Sequence, residues 1–171
     1  MNIVLTGFMA SGKTEISKKL AKLSGYKLVD TDALIVEEAK MSINDIFETM
    51  REAEFRRIEH VVICRVSEMD NTVISTGGGV VLNKENMMAL RKNGIIVNLA
   101  PDFDVILQRL NNARSTRPLL KNSDVDDIRK RFNDRLPYYA DCDLKIEVSN
   151  EFEPDHFAKE ILTKLKLIQD E

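Results

Sequence analysis

The segment GFMASGKT, residues 7–14, constrains this chain more than any other stretch. It fits the pattern G-x-x-x-x-G-K-[ST], with Gly7, Gly12, Lys13 and Thr14 at the fixed positions. Asn2-Ile-Val-Leu-Thr6 precedes it and reads as a buried strand, while Ile16, Leu20 and Leu23 follow at helical spacing. A strand, a glycine-rich turn and a helix in that order bring backbone N–H groups and a helix N-terminus to bear on phosphate oxygens. Residues Ala10, Ser11, Gly12, Lys13, Thr14 and Glu15 are the expected nucleotide-binding set. Lys13 is positioned to reach the β- and γ-phosphates and the Thr14 hydroxyl to bind Mg²⁺, so a bound nucleoside triphosphate is expected.

A length of 171 residues suits one domain, and 43% hydrophobic with 31% charged residues is the composition of a soluble globular protein. The net charge of −3 gives no general attraction to nucleic acid or to an anionic membrane, so an anionic ligand must be held by locally placed cations. Cys64 and Cys142 lack metal-ligand spacing and read as free thiols in a reducing compartment. The chain enters a strand at once, leaving no room for a signal peptide, and no apolar run approaches membrane-spanning length. A cytoplasmic monomer is expected, with no nucleic-acid or membrane partner.

Further along, Tyr26–Val29 forms a second short strand ending in Asp30-Thr31-Asp32. On an extended backbone Asp30 and Asp32 share a side, at the carboxyl end of a strand where open parallel sheets bind ligands. One acid can serve Mg²⁺ and the other a substrate hydroxyl; alternatively Asp32 simply starts the helix 33–40. Ser42 to Asp45 opens a long helical region, broken near Met50-Arg51, in which Glu54, Arg56, Arg57, Glu59 and His60 crowd together. That cluster alone reads as a solvated face, and His60 and His156 as surface or packing residues. A third strand, 72–76, runs into Gly77-Gly78-Gly79, which implies a turn with positive φ or a close approach to a ligand. Asn83 caps a helix over 84–92, a fourth strand spans 95–99, and Pro101-Asp102 opens a helix that fades near Arg109. Residues 110–126 lack apolar periodicity and hold Arg114 and Arg117, as a lid would. Ile128, Phe132, Leu136 and Tyr139 make a helical stripe that Pro137 should kink or stop early. A fifth strand, 144–148, and a terminal helix, 152–168, complete an alternating order that implies a parallel sheet with helices on both faces.

In order and spacing these motifs resemble those of shikimate kinases across nearly the whole chain. The resemblance rests on GFMASGKT, Asp30-Thr31-Asp32, Phe55-Arg56-x-x-Glu59, Gly77-Gly78-Gly79, Arg117-Pro118-Leu119-Leu120 and Arg135-x-x-x-Tyr139. It implies an α/β three-layer P-loop kinase fold of the nucleoside-monophosphate-kinase group, with a five-stranded parallel sheet flanked by helices and a mobile lid. It implies one kinase domain over 1–171, with a substrate-binding helical segment at 31–62 and the lid at 110–124. It implies phosphorylation of a shikimate ring hydroxyl by ATP, a step of aromatic amino-acid biosynthesis. Lys13, Asp32 and Arg117 become the catalytic residues, and Thr14 and Asp30 the Mg²⁺ residues. Asp32, Arg56, Glu59, Gly77, Gly78, Gly79 and Arg135 become the shikimate site, with Arg56 and Arg135 on the carboxylate and Glu59 orienting Arg56. The family carries a further lid arginine seven residues before the Arg-Pro pair; here that position is Leu110, and the neighbouring Arg109 is the candidate for the adenine.

The chemistry runs the same way. A small carboxylate held by a net-negative protein needs arginines from separate segments, because guanidinium pairs bidentately with carboxylate. Phosphoryl transfer needs positioning and charge neutralisation more than a strong base. A gluconate kinase of the same fold has no need of an arginine pair beside a triple glycine, and a nucleoside-monophosphate kinase needs a second phosphate-binding arginine set. A non-catalytic nucleotide switch would lack an acid or the lid arginine, and none is lost here. Lys13→Ala and Arg117→Ala should each largely abolish turnover with the far-UV circular dichroism spectrum unchanged; full turnover in either would contradict the assignment.

Overall fold

The computed structural model describes residues 1–113, 122–151 and 153–170. Five strands, β1 (Asn2–Thr6), β2 (Lys27–Asp30), β3 (Thr72–Ser75), β4 (Gly94–Pro101) and β5 (Leu144–Val148), form one sheet in the order β2-β3-β1-β4-β5. All four pairings are parallel. The chain leaves β1 for one edge of the sheet, fills the gap with β3, then continues on the other side of β1. Carboxyl ends of the central strands therefore flank a crevice of the kind in which open α/β sheets bind ligands.

Helices cover both faces, as parallel strands require. On one face Ile3, Leu5, Val97 and Leu99 pack against Ile16 and Leu20 of α1 (Lys13–Ser24) and Phe157, Ile161 and Leu165 of α7 (Pro154–Gln169). On the other, Val4, Ile74 and Ile96 meet Val62, Ile63 and Val66 of α3 (Ile43–Ser67) and Met87 and Leu90 of α4 (Lys84–Arg91). That face also receives Ile106 of α5 (Phe103–Ala113) and Tyr139 of α6 (Asn122–Tyr139). Each fully buried aliphatic side chain of this kind contributes about 1.5–3 kcal/mol of transfer free energy. Continuous burial along β1 explains why that strand reads as an unbroken apolar run rather than an alternation.

The expected break in the long helical region is present. Arg51 has φ 68° and ψ 163° in the interior of α3, so two helices meet there at a kink. Four expectations are corrected. Residues 30–32 are not extended throughout: α2 (Thr31–Ala39) begins at Thr31, and Asp30, not Asp32, caps it by accepting the Ala33 N–H at 3.0 Å. Pro101 ends β4 instead of opening a helix, and the Asp102 carbonyl accepts the first N–H groups of α5, from Val105 and Ile106. Helix α5 runs past Arg109 to Ala113 and α6 starts at Asn122, so both ends of the segment expected to be irregular at 110–126 are helical, and the rest of it lies outside the described residues. Leu110 packs against the core and carries α5 onward where its polar neighbours disguise the helical period. Pro137 does not stop α6 early, because it falls in the last turn and Tyr139 anchors that turn in the core at 5% exposure. Both cysteines are free. No described helix is long and apolar enough to cross a membrane.

Candidate active site

A cleft of about 860 Å³ opens at the carboxyl ends of β1, β2 and β3. The loop between β1 and α1 forms its floor, and Gly12, at φ 96°, turns the chain into the helix. Lys13 folds back over this loop, donating to the Gly7 carbonyl at 2.5 Å and the Phe8 carbonyl at 3.1 Å. Part of the lysine is open to the cleft, but its ammonium is enclosed by protein. That burial lowers its pKa to about 8, against the pull of Asp32 and Asp30 in the other direction. Thr14 and Glu15 are exposed beside it at the start of α1.

Asp30 and Asp32 both line the cleft, brought together by the strand-to-helix turn and not by a strand pleat. The Asp32 carboxyl has its pKa raised, chiefly by burial and then by Asp30, while Lys13 and Arg56 pull it back. One further acid and two cations of the cleft thus act on the Asp32 carboxyl.

The triple glycine is where Asp32 and Arg56 come close to the backbone. None of the three has positive φ, so that expectation is corrected; what comes close to Gly77 and Gly79 is the chain's own side chains. A Cβ on Gly77 would lie 2.5 Å from Asp32 Oδ1, and one on Gly79 would lie 2.8 Å from Arg56 Cζ. The Gly77 N–H donates to the buried Thr31 hydroxyl at 3.1 Å, which fastens the glycine segment to the turn that carries Asp32.

The charged cluster of α3 divides into two faces. Arg57 and Glu54 form an exposed pair, as a solvated face would. Arg56 turns into the cleft, donating from Nη1 to Glu59 Oε1 at 2.9 Å, with Glu52 3.6 Å from Nη2 and the Phe55 ring 5.1 Å from Cζ. Glu59 is 1% exposed; burial raises its pKa and Arg56 lowers it. A carboxylate this deep is held by its guanidinium partner and fixes that partner in turn. His60 has no part in the cleft: its Nδ1 sits 2.6 Å from Oδ1 of the buried Asn86, tying α3 to α4.

Arg135 reaches the cleft from α6, 5.9 Å above the Phe8 ring. Arg109 enters from α5, donating to the Ala10 carbonyl at 2.9 Å and the Ser149 carbonyl at 3.4 Å, so it lies against the nucleotide loop. Arg117 and its proline-leucine sequel lie outside the described residues. Ala10, Ser11, Gly12, Lys13, Thr14, Glu15, Asp30, Asp32, Arg56, Glu59, Gly77, Gly78, Gly79, Arg109 and Arg135 all line the one cleft. It also takes in Ile43, Phe47, Ser75, Thr76, Gln108 and Asn112, which sequence reasoning passed over. Phe47 stacks on Phe55 at 4.7 Å and looks in sequence like ordinary helical core. Gln108 and Asn112 share a face at i and i+4, a signal hidden by the early end assigned to α5.

A nucleotide loop, an acid pair beside its lysine, and an arginine held against a triple glycine define a small-molecule kinase of the P-loop class. A sequence model described as shikimate kinase matches residues 9–166. The chain is 51% identical to the shikimate kinase of Caldicellulosiruptor bescii over 146 residues, covering 85% of this chain and 84% of that protein. It is 48% identical to the shikimate kinase of Caldicellulosiruptor saccharolyticus, covering 95% and 94%. Its structure superposes on shikimate kinase from Acinetobacter baumannii in complex with shikimate with TM-score 0.86 at 30% identity, covering 96% and 92%. The chain belongs to the shikimate kinase family, ATP-dependent enzymes that phosphorylate a shikimate hydroxyl.

Two outcomes follow from the geometry. The folded pKa of Lys13, about 8, lies below its ordinary value of 10.5, so between these pH values the unfolded chain binds more protons. Stability from this group therefore rises with pH across that window, and urea midpoints of the protein relative to Lys13→Met should rise from pH 8 to 10; a flat difference contradicts the buried ammonium. Gly79→Ala should displace the flexible Arg56 guanidinium without unfolding the protein, raising the KM for shikimate several-fold at a near-constant melting temperature.

Proposed function

We propose that this shikimate kinase divides its reaction among the residues of the cleft as follows. Backbone N–H groups over Ala10 to Glu15 and the Lys13 ammonium cradle the ATP phosphates, with Arg109 at the adenine end. Thr14 offers a hydroxyl and Asp30 the carboxylate oxygen left over from capping α2, an all-oxygen set that suits Mg²⁺. That cation, when bound, neutralises charge on the phosphates. Among the described residues no group of three or more His, Cys, Asp or Glu gathers to hold a metal without such phosphate oxygens.

Arg56 and Arg135 grip the shikimate carboxylate, Glu59 holds Arg56 in place, and Gly77 to Gly79 line the ring pocket. Asp32 accepts a hydrogen bond from the ring hydroxyl. That oxygen attacks the γ-phosphorus, the bond from phosphorus to the β,γ-bridging oxygen breaks, and ADP leaves. Asp32, whose proton affinity is raised in this setting, receives the hydroxyl proton. Arg117, outside the described residues, is read as the lid arginine that meets the spreading phosphoryl charge. The substrate-binding segment is 31–62 and the lid 110–124 of one kinase domain. We read it as a cytoplasmic monomer, which draws on the ATP supply this chemistry needs.

The observation that carries this reading is the glycine segment: Gly77 leaves space for Asp32 and Gly79 for Arg56, so a proton acceptor and a carboxylate clamp face one pocket next to Lys13. A coupled ADP assay should show turnover with shikimate and none with gluconate. Arg56→Lys, which keeps the charge and loses the bidentate fork, should weaken shikimate binding about tenfold or more while ATP affinity stays nearly constant by calorimetry. An equal loss for both ligands overturns the clamp.

A further inference from the structure

The proposed function leaves the Tyr139 hydroxyl, behind the glycine segment, without a task. Tyr139 ends α6 one helical turn after Arg135, with its ring in the core at 5% exposure. Its hydroxyl donates to the Gly78 carbonyl at 2.6 Å. The Arg135 guanidinium stands over the same glycine: a Cβ built on Gly78 would lie 3.4 Å from Arg135 Nη1 and 3.6 Å from the Tyr139 oxygen. A phenol has one proton to give and lone pairs to receive. With the proton spent on Gly78, the oxygen keeps its lone pairs, which a guanidinium N–H of Arg135 on the same glycine can meet. Burial raises the Tyr139 pKa and the charge of Arg135 opposes that, as expected of a cation beside the phenol oxygen.

We propose that Tyr139 is a positioning residue for shikimate binding, its hydroxyl linking the Arg135 guanidinium to the Gly78 carbonyl and so fixing the second half of the carboxylate clamp against the glycine pocket. Arg135 comes from α6 and the glycines from the β3 loop, two elements whose separation no covalent link controls. Arg56 already has Glu59, one turn along its own helix, to hold it. Tyr139 supplies the matching restraint for Arg135, with the glycine backbone as the fixed end. A tyrosine buried only for packing has no use for the hydroxyl in this place; phenylalanine would fill the same volume.

The inference rests on Arg135 binding the carboxylate, and Tyr139→Phe tests it because the ring stays. Loss of one hydrogen bond that orders an arginine should raise the KM for shikimate about threefold to tenfold, with KM for ATP and kcat within twofold of the parent. In an Arg135→Ala background the same change should have no further effect on shikimate KM, since the group it orients is gone. A purely structural tyrosine would instead shift both KM values together, or act equally in both backgrounds; either result overturns the inference. Should Arg135→Ala raise shikimate KM and Tyr139→Phe leave it unchanged, the positioning role fails and the clamp stands. Should neither change it, the clamp assignment of Arg135 fails, and the positioning role with it.

Discussion

Gathering charge in a partly buried cleft is costly unless each charge has a partner, and the three glycines at 77–79 are what make the pairing possible here. Lys13, Asp30, Asp32, Arg56, Glu59 and Arg135 converge on the carboxyl ends of three adjacent strands. Side chains on the glycine segment would occupy the positions of Asp32 and Arg56. Without them the acids and the arginines come within mutual influence, and the pKa shifts of Lys13, Asp32 and Glu59 follow from that arrangement. Desolvation is the first cause of each shift and an opposite charge opposes it in each, which is how a site retains ionised groups out of bulk water.

The rest of the fold acts to hold this segment. Thr31 fastens Gly77 to the start of α2, Tyr139 fastens Gly78 to the end of α6, and Thr76 donates to the Leu5 carbonyl at 2.8 Å, tying the same loop to β1 just before the nucleotide loop. Three elements distant in sequence thereby set the position of the glycine segment. Positioning is the largest contribution a protein makes to phosphoryl transfer, where its covalent chemistry is slight.

How much of this could be read in the sequence depended on whether a property was local. The nucleotide loop was legible because its chemistry lies within eight consecutive residues bounded by a strand and a helix. The break at Arg51 and the caps at Ser42 and Asn83 were legible for the same reason. The acid pair was found by the wrong geometry: an extended pleat was expected, but Asp30 turns the chain into a helix and the turn itself brings Asp32 alongside. The glycines were recognised with positive φ or a close approach to a ligand as the reasons, while the approach of Asp32 and Arg56 was not foreseen, since it depends on how α2 and α3 meet the loop. The bond from Tyr139 to Gly78 was not legible at all, and Gln108 and Asn112 were legible only as one helix face, not as part of the cleft. They depend on how α5 and α6 pack across the sheet, and residue spacing along one helix carries no record of that.

Arg51 shows how the two kinds of information combine. A non-glycine residue at φ 68° and ψ 163° costs on the order of 1–3 kcal/mol. The cost is confined to one exposed residue, and it changes the direction of α3 between Phe47 and Phe55. A straight helix would set residues 47 and 55 just over two turns, about 12 Å, apart along its axis, too far for their rings to touch. With the kink their centroids are 4.7 Å apart at an interplanar angle of 29°, an aromatic contact of about 0.5–1.5 kcal/mol beyond its buried area. Ile46, fully buried on the first half of the helix, adds its own transfer free energy to the same side of the balance. Together these offset the strain, and the result is an apolar wall of Ile43, Phe47 and Phe55 beside the Arg56–Glu59 pair. The strained residue thus acts through the shape of the cleft, which sets an apolar surface next to a cationic one.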